Sequence, residues 1–146
     1  MSGAAPRFSI KDVKGKKIAL VSSSWHPELC DKLIASAIRA CQEHGVQHEL
    51  IYVPGSFEIP LAAAKALNSG FDGAVALGLV LRGETAHFDY VCQGATDGIM
   101  QAQLQYLKPI GFGILMCDTL EQAHARAGGK VEDKGYDATI ATLALL

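Results

Sequence analysis

Hydrophobic positions along the first half of the chain alternate between strand-like runs and helical spacing. KIALVSSS and HELIYV are short and apolar, which is typical of buried strands. Between them Leu29, Leu33 and Ala37 recur at helical spacing, and Gly45 predicts the end of that helix. The pattern therefore indicates a strand, a helix and a second strand.

The middle of the chain repeats this order. Pro60 suits the first turn of a helix over PLAAAKALN. The segment from Gly73 to Leu81 is apolar throughout, as is expected of a strand covered on both faces. A long helix then follows from the spacing of Phe88, Val91, Ala95, Ile99 and Ala102.

The last part predicts one more strand and two helices. Pro109 ends a connection, and IGFGILMC reads as the fourth strand. Thr119 with Gln122 forms a capping box for a short helix that ends near Gly128. The final helix covers DKGYDATIATLALL.

Strands that alternate with helices predict a three-layer α/β/α sandwich around a central, mainly parallel four-stranded sheet. We expect residues 1–15 to be an N-terminal arm, in which Phe8 and Ile10 form a short edge strand, and residues 16–146 to form a single domain. The carboxyl ends of parallel strands share one edge, where ligands bind. We therefore expect the functional site in the loops that follow the four strands.

Composition narrows the class of protein. Hydrophobic residues make up 49% and charged residues 19% of the chain, which excludes a disordered chain. The net charge is −2 with interspersed charges, so no nucleic-acid or membrane partner is expected, and the protein is expected in the cytoplasm. The cysteines contain no C-x-x-C pair and are expected to be small buried residues in a reducing compartment. They are Cys30, Cys41, Cys92 and Cys117.

The turn RGETAH follows the third strand and precedes the long helix. Gly83, Glu84 and Thr85 lie where backbone N–H groups are free at a helix N-terminus, a geometry that binds phosphate. The alternative is an ordinary N-cap by Thr85. The turn is neither a P-loop nor a dinucleotide fingerprint.

His87 begins the helix beside this turn. An imidazole there can exchange protons near neutral pH, although a structural histidine is the alternative. Cys92 lies off the helix face of His87, which argues against a Cys–His nucleophile pair.

Other strand-end residues suit a small polar and aromatic ligand. Trp25 can stack on a heteroaromatic ring or act as a lid on the core. Glu58 can accept hydrogen bonds from a polyol or complement a helix N-terminus. Arg126 and Lys134 are either solvated or supply positive charge to an anion.

Four ordered blocks carry a family resemblance. VPGSFEIP, ALGLVLRGETAHFDYVC, DTLEQAHARAGGK and DKGYDA together resemble the 6,7-dimethyl-8-ribityllumazine synthases, from about Lys16 to the C-terminus. The segments SSSWH and EDKG are most similar to actinobacterial members. These transferases carry out the penultimate step of riboflavin biosynthesis.

The resemblance implies a reaction without a metal or redox cofactor. The family condenses 5-amino-6-(D-ribitylamino)uracil with 3,4-dihydroxy-2-butanone 4-phosphate and releases phosphate and water. His87 would be the acid/base, Gly83, Glu84 and Thr85 would hold the phosphate, and Trp25 would stack on the pyrimidine. Ser56, Phe57 and Glu58 would match the ribityl-binding segment and Leu81 a pyrimidine contact.

The resemblance also implies assembly. The family's flavodoxin-like units form homopentamers, and some members build an icosahedral shell of twelve pentamers. Phe112, Arg126 and Lys134 match residues that reach a neighbour's pocket, and Arg126 would pair with the phosphate. In such a ring the strand of the N-terminal arm would add to the sheet of the adjacent subunit and cover its edge. The connection before the second strand and the C-terminal helix are shorter than usual, and neither departure involves the matched site residues.

Three alternatives stay open from the sequence. One is a homologue that binds riboflavin with low turnover, and another is a shell-forming scaffold; His87, Arg126 and the intact turn argue against both. The third is an archaeal-type riboflavin synthase, against which the block RGETAHFDY argues.

Overall fold

Four parallel strands in the order β2-β1-β3-β4 form the centre of the fold. The computed structural model describes residues 3–146, so residues 1 and 2 of the predicted arm lie outside the described part. The strands are β1 (Lys17–Ser23), β2 (Gln47–Val53), β3 (Gly73–Leu81) and β4 (Ile110–Cys117). The helices are α1 (Pro27–Glu43), α2 (Ile59–Asn68), α3 (His87–Tyr106), α4 (Leu120–Arg126) and α5 (Lys134–Leu143).

Two hydrophobic clusters lie on opposite faces of the sheet. Leu20, Val75 and Leu77 face α1, α4 and α5. Ala19 and Ala76 face α2 and α3 on the other side. This arrangement confirms the predicted three-layer sandwich, and every strand pair in residues 3–146 is parallel. A sheet covered on both faces explains why β3 is apolar at every position.

Local sequence signals stop and start the helices as predicted. Pro60 occupies the first turn of α2, and Gly45 follows α1 with φ 67°, in the left-handed region that favours glycine. The Thr119 hydroxyl accepts from the Gln122 N–H at 3.2 Å, and the Gln122 side chain accepts from the Thr119 N–H at 3.2 Å. The predicted capping box at α4 is therefore confirmed.

The described part of the arm forms no strand within a single chain, so its predicted pairing with the sheet of an adjacent subunit stays a prediction. Residues 3–16 contain no strand, although Val13 is buried and Ile10 packs against the α1 side of the core. Phe8 is exposed. A strand needs a hydrogen-bonding edge beside it, and in a single chain these residues pair with neither edge strand of the sheet.

The strand order places a crevice at one edge of the sheet. The chain passes from β1 outward to β2, and then returns to build β3 and β4 on the other side of β1. The carboxyl ends of β1 and β3 are neighbours there, and their following loops separate. In open α/β sheets this switch point is where ligands bind.

Candidate active site

A cavity of about 760 Å³ opens at the switch point. This volume is in the usual range for small-molecule sites. Its walls come from the loops after β1 and β2, the end of β3 and the first turns of α3. Seven predicted site residues line it: Trp25, Ser56, Phe57, Glu58, Leu81, Gly83 and His87.

The loop after β1 holds Trp25 at the cavity. Its backbone N–H donates to Ser23 Oγ at 3.2 Å, and its carbonyl accepts from the Cys30 thiol at 3.2 Å. Ser24 joins this loop to the end of β2 by donating its hydroxyl to the Val53 carbonyl at 2.8 Å. The Trp25 side chain is 66% exposed, so the alternative of a lid on the core is wrong for the single chain.

His26 lines the cavity in a strained conformation that the sequence did not predict. It has φ 52° and ψ 65°, a left-handed conformation that is uncommon for residues other than glycine. Its carbonyl accepts from the N–H groups of Leu29 and Cys30, which begins α1. Backbone strain of this kind concentrates at functional sites, because the surrounding structure has to maintain it.

The loop after β2 supplies a polar and an aromatic wall. Gly55 lies under the Trp25 indole, since a Cβ there would be 3.2 Å from Trp25 Cδ1. Ser56 is only 4% exposed, and its Oγ has no hydrogen-bond partner within residues 3–146. This hydroxyl is enclosed against Gly78 of β3, where an added Cβ would lie 2.7 Å from it. Phe57 and Glu58 are exposed beside it.

The turn after β3 presents free backbone donors. Within residues 3–146 the N–H groups of Gly83, Glu84 and Thr85 have no acceptor. The Thr85 hydroxyl accepts only a long contact from the His87 N–H at 3.4 Å, and Ala86 occupies the N-cap position of α3. The N-cap is therefore Ala86, and the alternative that Thr85 caps the helix is wrong. Free donors at the start of a 20-residue helix suit an anion.

The positive charge in the turn is already engaged. Arg82 Nε donates to Asp118 Oδ1 at 2.6 Å, and its Nη1 lies 3.4 Å from Asp89 Oδ1. The guanidinium also lies over the Phe88 ring, 4.3 Å from its centroid. The hydrogen bond to Asp118 raises the pKa of Arg82. Two carboxylates therefore already pair with this one guanidinium, so it does not balance the charge of an incoming anion.

His87 is exposed at the cavity, on the first residue of α3. Tyr90 and Val91 follow it at the spacing of one helical turn and line the same cavity. An accessible imidazole next to free backbone donors can move a proton beside a bound anion.

The cysteines do not provide a nucleophile at the cavity. Cys30, Cys41 and Cys117 are buried as predicted, whereas Cys92 is half-buried. Desolvation is the main cause that raises the pKa of each thiol, to about 11 for Cys41. A raised pKa keeps a thiol protonated and unreactive near neutral pH.

Five predicted site residues lie outside the cavity. Glu84 and Thr85 are exposed in the turn. Phe112 is 41% exposed on the edge strand β4. The Arg126 guanidinium donates to the Gln122 carbonyl at 2.9 Å, and Lys134 Nζ lies 3.2 Å from Glu132 Oε2.

Sequence reasoning missed other residues of the cavity wall. Tyr90 and Val91 follow from helix periodicity once His87 is placed at the start of α3. Gly55 and Arg82 stand inside motifs that were already recognised. His26 carried no signal, because its left-handed backbone is not visible in its residue type. The remaining two are Leu79 and Val80 at the end of β3.

Neither a candidate metal centre nor a membrane-spanning helix is present in residues 3–146. They contain no group of three or more His, Cys, Asp or Glu side chains arranged to hold a metal ion. None of their helices is long and apolar enough to cross a membrane.

Comparison with known proteins identifies the family to which this chain belongs. A sequence model described as 6,7-dimethyl-8-ribityllumazine synthase matches residues 15–146. The chain belongs to the 6,7-dimethyl-8-ribityllumazine synthase family. The resemblance found in its sequence blocks is therefore confirmed.

Relatives with this name are similar over nearly the whole chain. The 6,7-dimethyl-8-ribityllumazine synthase of Streptomyces coelicolor is 47% identical over 99% of this chain and 92% of its own length. That of Paenarthrobacter aurescens is 50% identical over 88% of this chain and 81% of its own length. The lumazine synthase match therefore includes every element that lines the cavity.

Proposed function

We propose that this chain condenses 5-amino-6-(D-ribitylamino)uracil with 3,4-dihydroxy-2-butanone 4-phosphate to 6,7-dimethyl-8-ribityllumazine. The observation that carries the proposal is the family match over residues 15–146, which contains the whole cavity. The primary amine of the pyrimidine condenses with the ketone and releases water. Phosphate is then eliminated, and ring closure releases a second water.

The cavity offers a separate place to each substrate. In the proposal the free N–H groups of Gly83, Glu84 and Thr85 receive the phosphate of the butanone. The pyrimidine ring stacks on the exposed indole of Trp25, near Leu81, and its ribityl chain lies along Ser56, Phe57 and Glu58. The exposed Glu58 carboxylate accepts hydrogen bonds from the ribityl hydroxyls. Holding two substrates together supplies much of the rate by itself.

His87 is the proposed acid/base. Condensation, elimination and ring closure each transfer protons, and none needs a nucleophile from the protein. His87 is exposed to the cavity and adjacent to the phosphate turn. It can therefore exchange protons with the amine, the ketone oxygen and the leaving phosphate.

We propose that a second subunit completes the phosphate site. The turn around Arg82 carries more carboxylates than cations, so a phosphate dianion needs a cation from elsewhere. None of the ion pairs formed by residues 3–146 involves Arg126, and Arg126 lies outside its own cavity. Arg126, with Phe112 and Lys134, would reach the cavity of a neighbour in a homopentamer.

Exposed apolar side chains on α3 support the assembly. Met100 and Leu104 are exposed one turn apart on the second half of this helix, Leu107 is exposed directly after it, and Phe112 is exposed on β4. Met100 and Leu104 share one face of the helix, and an exposed apolar face of this kind is typical of an interface. Twelve pentamers would form a 60-subunit shell. The loop RAGGKVEDKG has no insertion that would block contact between pentamers, which favours the shell.

We also propose the cytoplasm as the compartment, because free thiols persist in a reducing environment.

One observation favours a second candidate function. The 66% exposed indole of Trp25 at the cavity offers a flat surface to an isoalloxazine ring. A riboflavin-binding or shell-forming homologue with low turnover would use the same cavity without needing His87.

The test is to mix the purified chain with both substrates and to follow lumazine absorbance and fluorescence together with phosphate release. We expect one phosphate to be released for each lumazine formed. Dihydroxybutanone without its phosphate is the matched control, and it should react far more slowly because the leaving group and the turn contact are absent. Tight riboflavin binding without lumazine formation would contradict the synthase proposal and favour the second candidate.

A further inference from the structure

We infer that Gly94 is a positioning residue, which sets where the Phe57 ring stands in the cavity and so determines the fit of the pyrimidine substrate. The inference rests on the proposed function. It concerns a residue of α3 that does not line the cavity itself.

The Phe57 ring occupies the space that a side chain at Gly94 would fill. A Cβ at Gly94 would lie 2.5 Å from Phe57 Cε1, 3.2 Å from Cδ1 and 3.5 Å from Cζ. Carbon atoms do not approach each other as closely as 2.5 Å, since their contact distance is about 3.5–4.0 Å. The ring therefore lies directly against the helix backbone, and any larger residue at position 94 has to displace it.

The displacement would change the cavity wall more than the fold. The clashing atoms belong to the far end of a side chain that is 59% exposed, so the ring can turn. The backbone of Phe57 is held between the buried residues Ser56 and Ile59. Because α3 blocks one side, the ring can only move away from the helix, and its position along the cavity wall shifts with it.

The backbone conformation at position 94 does not require glycine. Its φ lies outside the left-handed region, as expected inside α3. Glycine in the middle of a helix is less favourable than alanine. Alanine at position 94 is therefore favourable for the helix and displaces only the Phe57 ring. Its effect on substrate binding can then be measured apart from any effect on folding.

Gly98 offers a matched control on the same helix face. A Cβ there would lie 2.8 Å from Pro60 Cβ and 2.9 Å from Pro60 Cγ. Gly98→Ala thus introduces a similar clash between α3 and α2. Neither Gly98 nor Pro60 lines the cavity.

The experiment measures the KM for each substrate in Gly94→Ala, Gly98→Ala, Phe57→Ala and the double variant Gly94→Ala/Phe57→Ala. Gly94→Ala should raise the KM for 5-amino-6-(D-ribitylamino)uracil by about two- to tenfold, the range expected for one displaced aromatic contact. The KM for the butanone phosphate should stay within about twofold. In the Phe57→Ala background, Gly94→Ala should have no further effect, as a double-mutant cycle requires for a residue that acts through Phe57.

Two results would overturn the inference: an unchanged pyrimidine KM in Gly94→Ala, or an equal rise with and without the Phe57 ring. A KM that rises in Gly94→Ala and Gly98→Ala alike, in step with lower melting temperatures, would also overturn it, because crowding of α2 against α3 would be the cause. A wild-type chain that forms no lumazine would defeat the proposed function instead, and this outcome is visible before any variant is made.

Discussion

At the residue scale, the turn after β3 uses different groups for structural support, anion binding and proton transfer. Arg82 is bound by Asp118 and Asp89 and holds the turn between β4 and α3. The backbone N–H groups of the turn stay free for an anion, and the His87 imidazole stays exposed beside them. Each group can therefore act without competing for the same ligand atom.

His87→Ala should lower kcat by roughly ten- to a thousandfold, at or somewhat below the usual contribution of a general acid–base group. The KM values should change little, because the phosphate turn and the aromatic walls are untouched. Steady-state kinetics of lumazine formation measure both. His44→Ala is the control, because His44 follows the end of α1 farthest from the cavity and its ring hydrogen-bonds to the Ala40 carbonyl. Unchanged turnover in His87→Ala would remove His87 from the mechanism.

Trp25 provides a direct report of binding, because it is the single tryptophan of the chain. Riboflavin or the pyrimidine substrate should quench its fluorescence by stacking on the exposed indole. Trp25→Phe should retain most of the affinity, and Trp25→Ala should lose about 0.5–1.5 kcal/mol of stacking in addition to buried area. A titration of wild type and both variants measures this. No quenching at saturating ligand would place the ligand away from Trp25.

At the element scale, α5 lies against the edge strand β4 through a glycine contact. A Cβ at Gly111 would fall well inside contact distance of the Ala138 carbonyl oxygen and Thr142 Oγ1. The Thr142 hydroxyl also donates to the Ala138 carbonyl at 2.9 Å. Helix α5 and strand β4 can pack this closely only because Gly111 has no side chain.

Gly111→Ala should therefore reduce the free energy of unfolding by about 1–3 kcal/mol, the usual cost of overpacking a core. Urea denaturation measures it. Gly83→Ala is the matched control, since a Cβ there meets nothing within 4 Å, and its stability should stay within about 0.5 kcal/mol of wild type. Equal stability of the Gly111 variant would mean that α5 can move away from β4 at no cost.

At the scale of the whole molecule, the proposed phosphate site needs two chains. A closed head-to-tail ring brings one patch of each subunit against a different patch of the next. Light scattering with size-exclusion chromatography should find a homopentamer or a multiple of it. A fully active monomer would contradict the shared site, and a stable free pentamer would contradict only the shell.

Mixing two inactive variants tests the shared site directly. Arg126→Ala should raise the KM for the butanone phosphate far more than that for the pyrimidine, since a charged hydrogen bond contributes about 1.5–3 kcal/mol. Mixed rings of His87→Ala and Arg126→Ala subunits should regain activity, because some interfaces combine an intact His87 with an intact Arg126. No recovery after proven subunit exchange would indicate that each chain supplies its own Arg126.

The sequence alone determined the elements and the chemistry of the strand-end loops. Hydrophobic period, Pro60, Gly45 and the capping box at Thr119 are local signals, and local signals are readable because they act within a few residues. The strand Gly73–Leu81 was predicted with the bounds that the structure has. The motifs around Gly83 and His87 were recognised for the same reason.

Tertiary structure alone decided which side chains meet. The strand order brings Trp25 of one loop over Gly55 of another and seats the Phe57 ring on Gly94 of α3. It also left residues 3–16 unpaired with either sheet edge, enclosed Ser56 Oγ without a partner among residues 3–146, and paired Arg82 with Asp118 rather than with an anion. These contacts join residues far apart in the chain. Their energies depend on packing and desolvation at sites that exist only after the sheet has assembled, so residue type and spacing do not encode them locally.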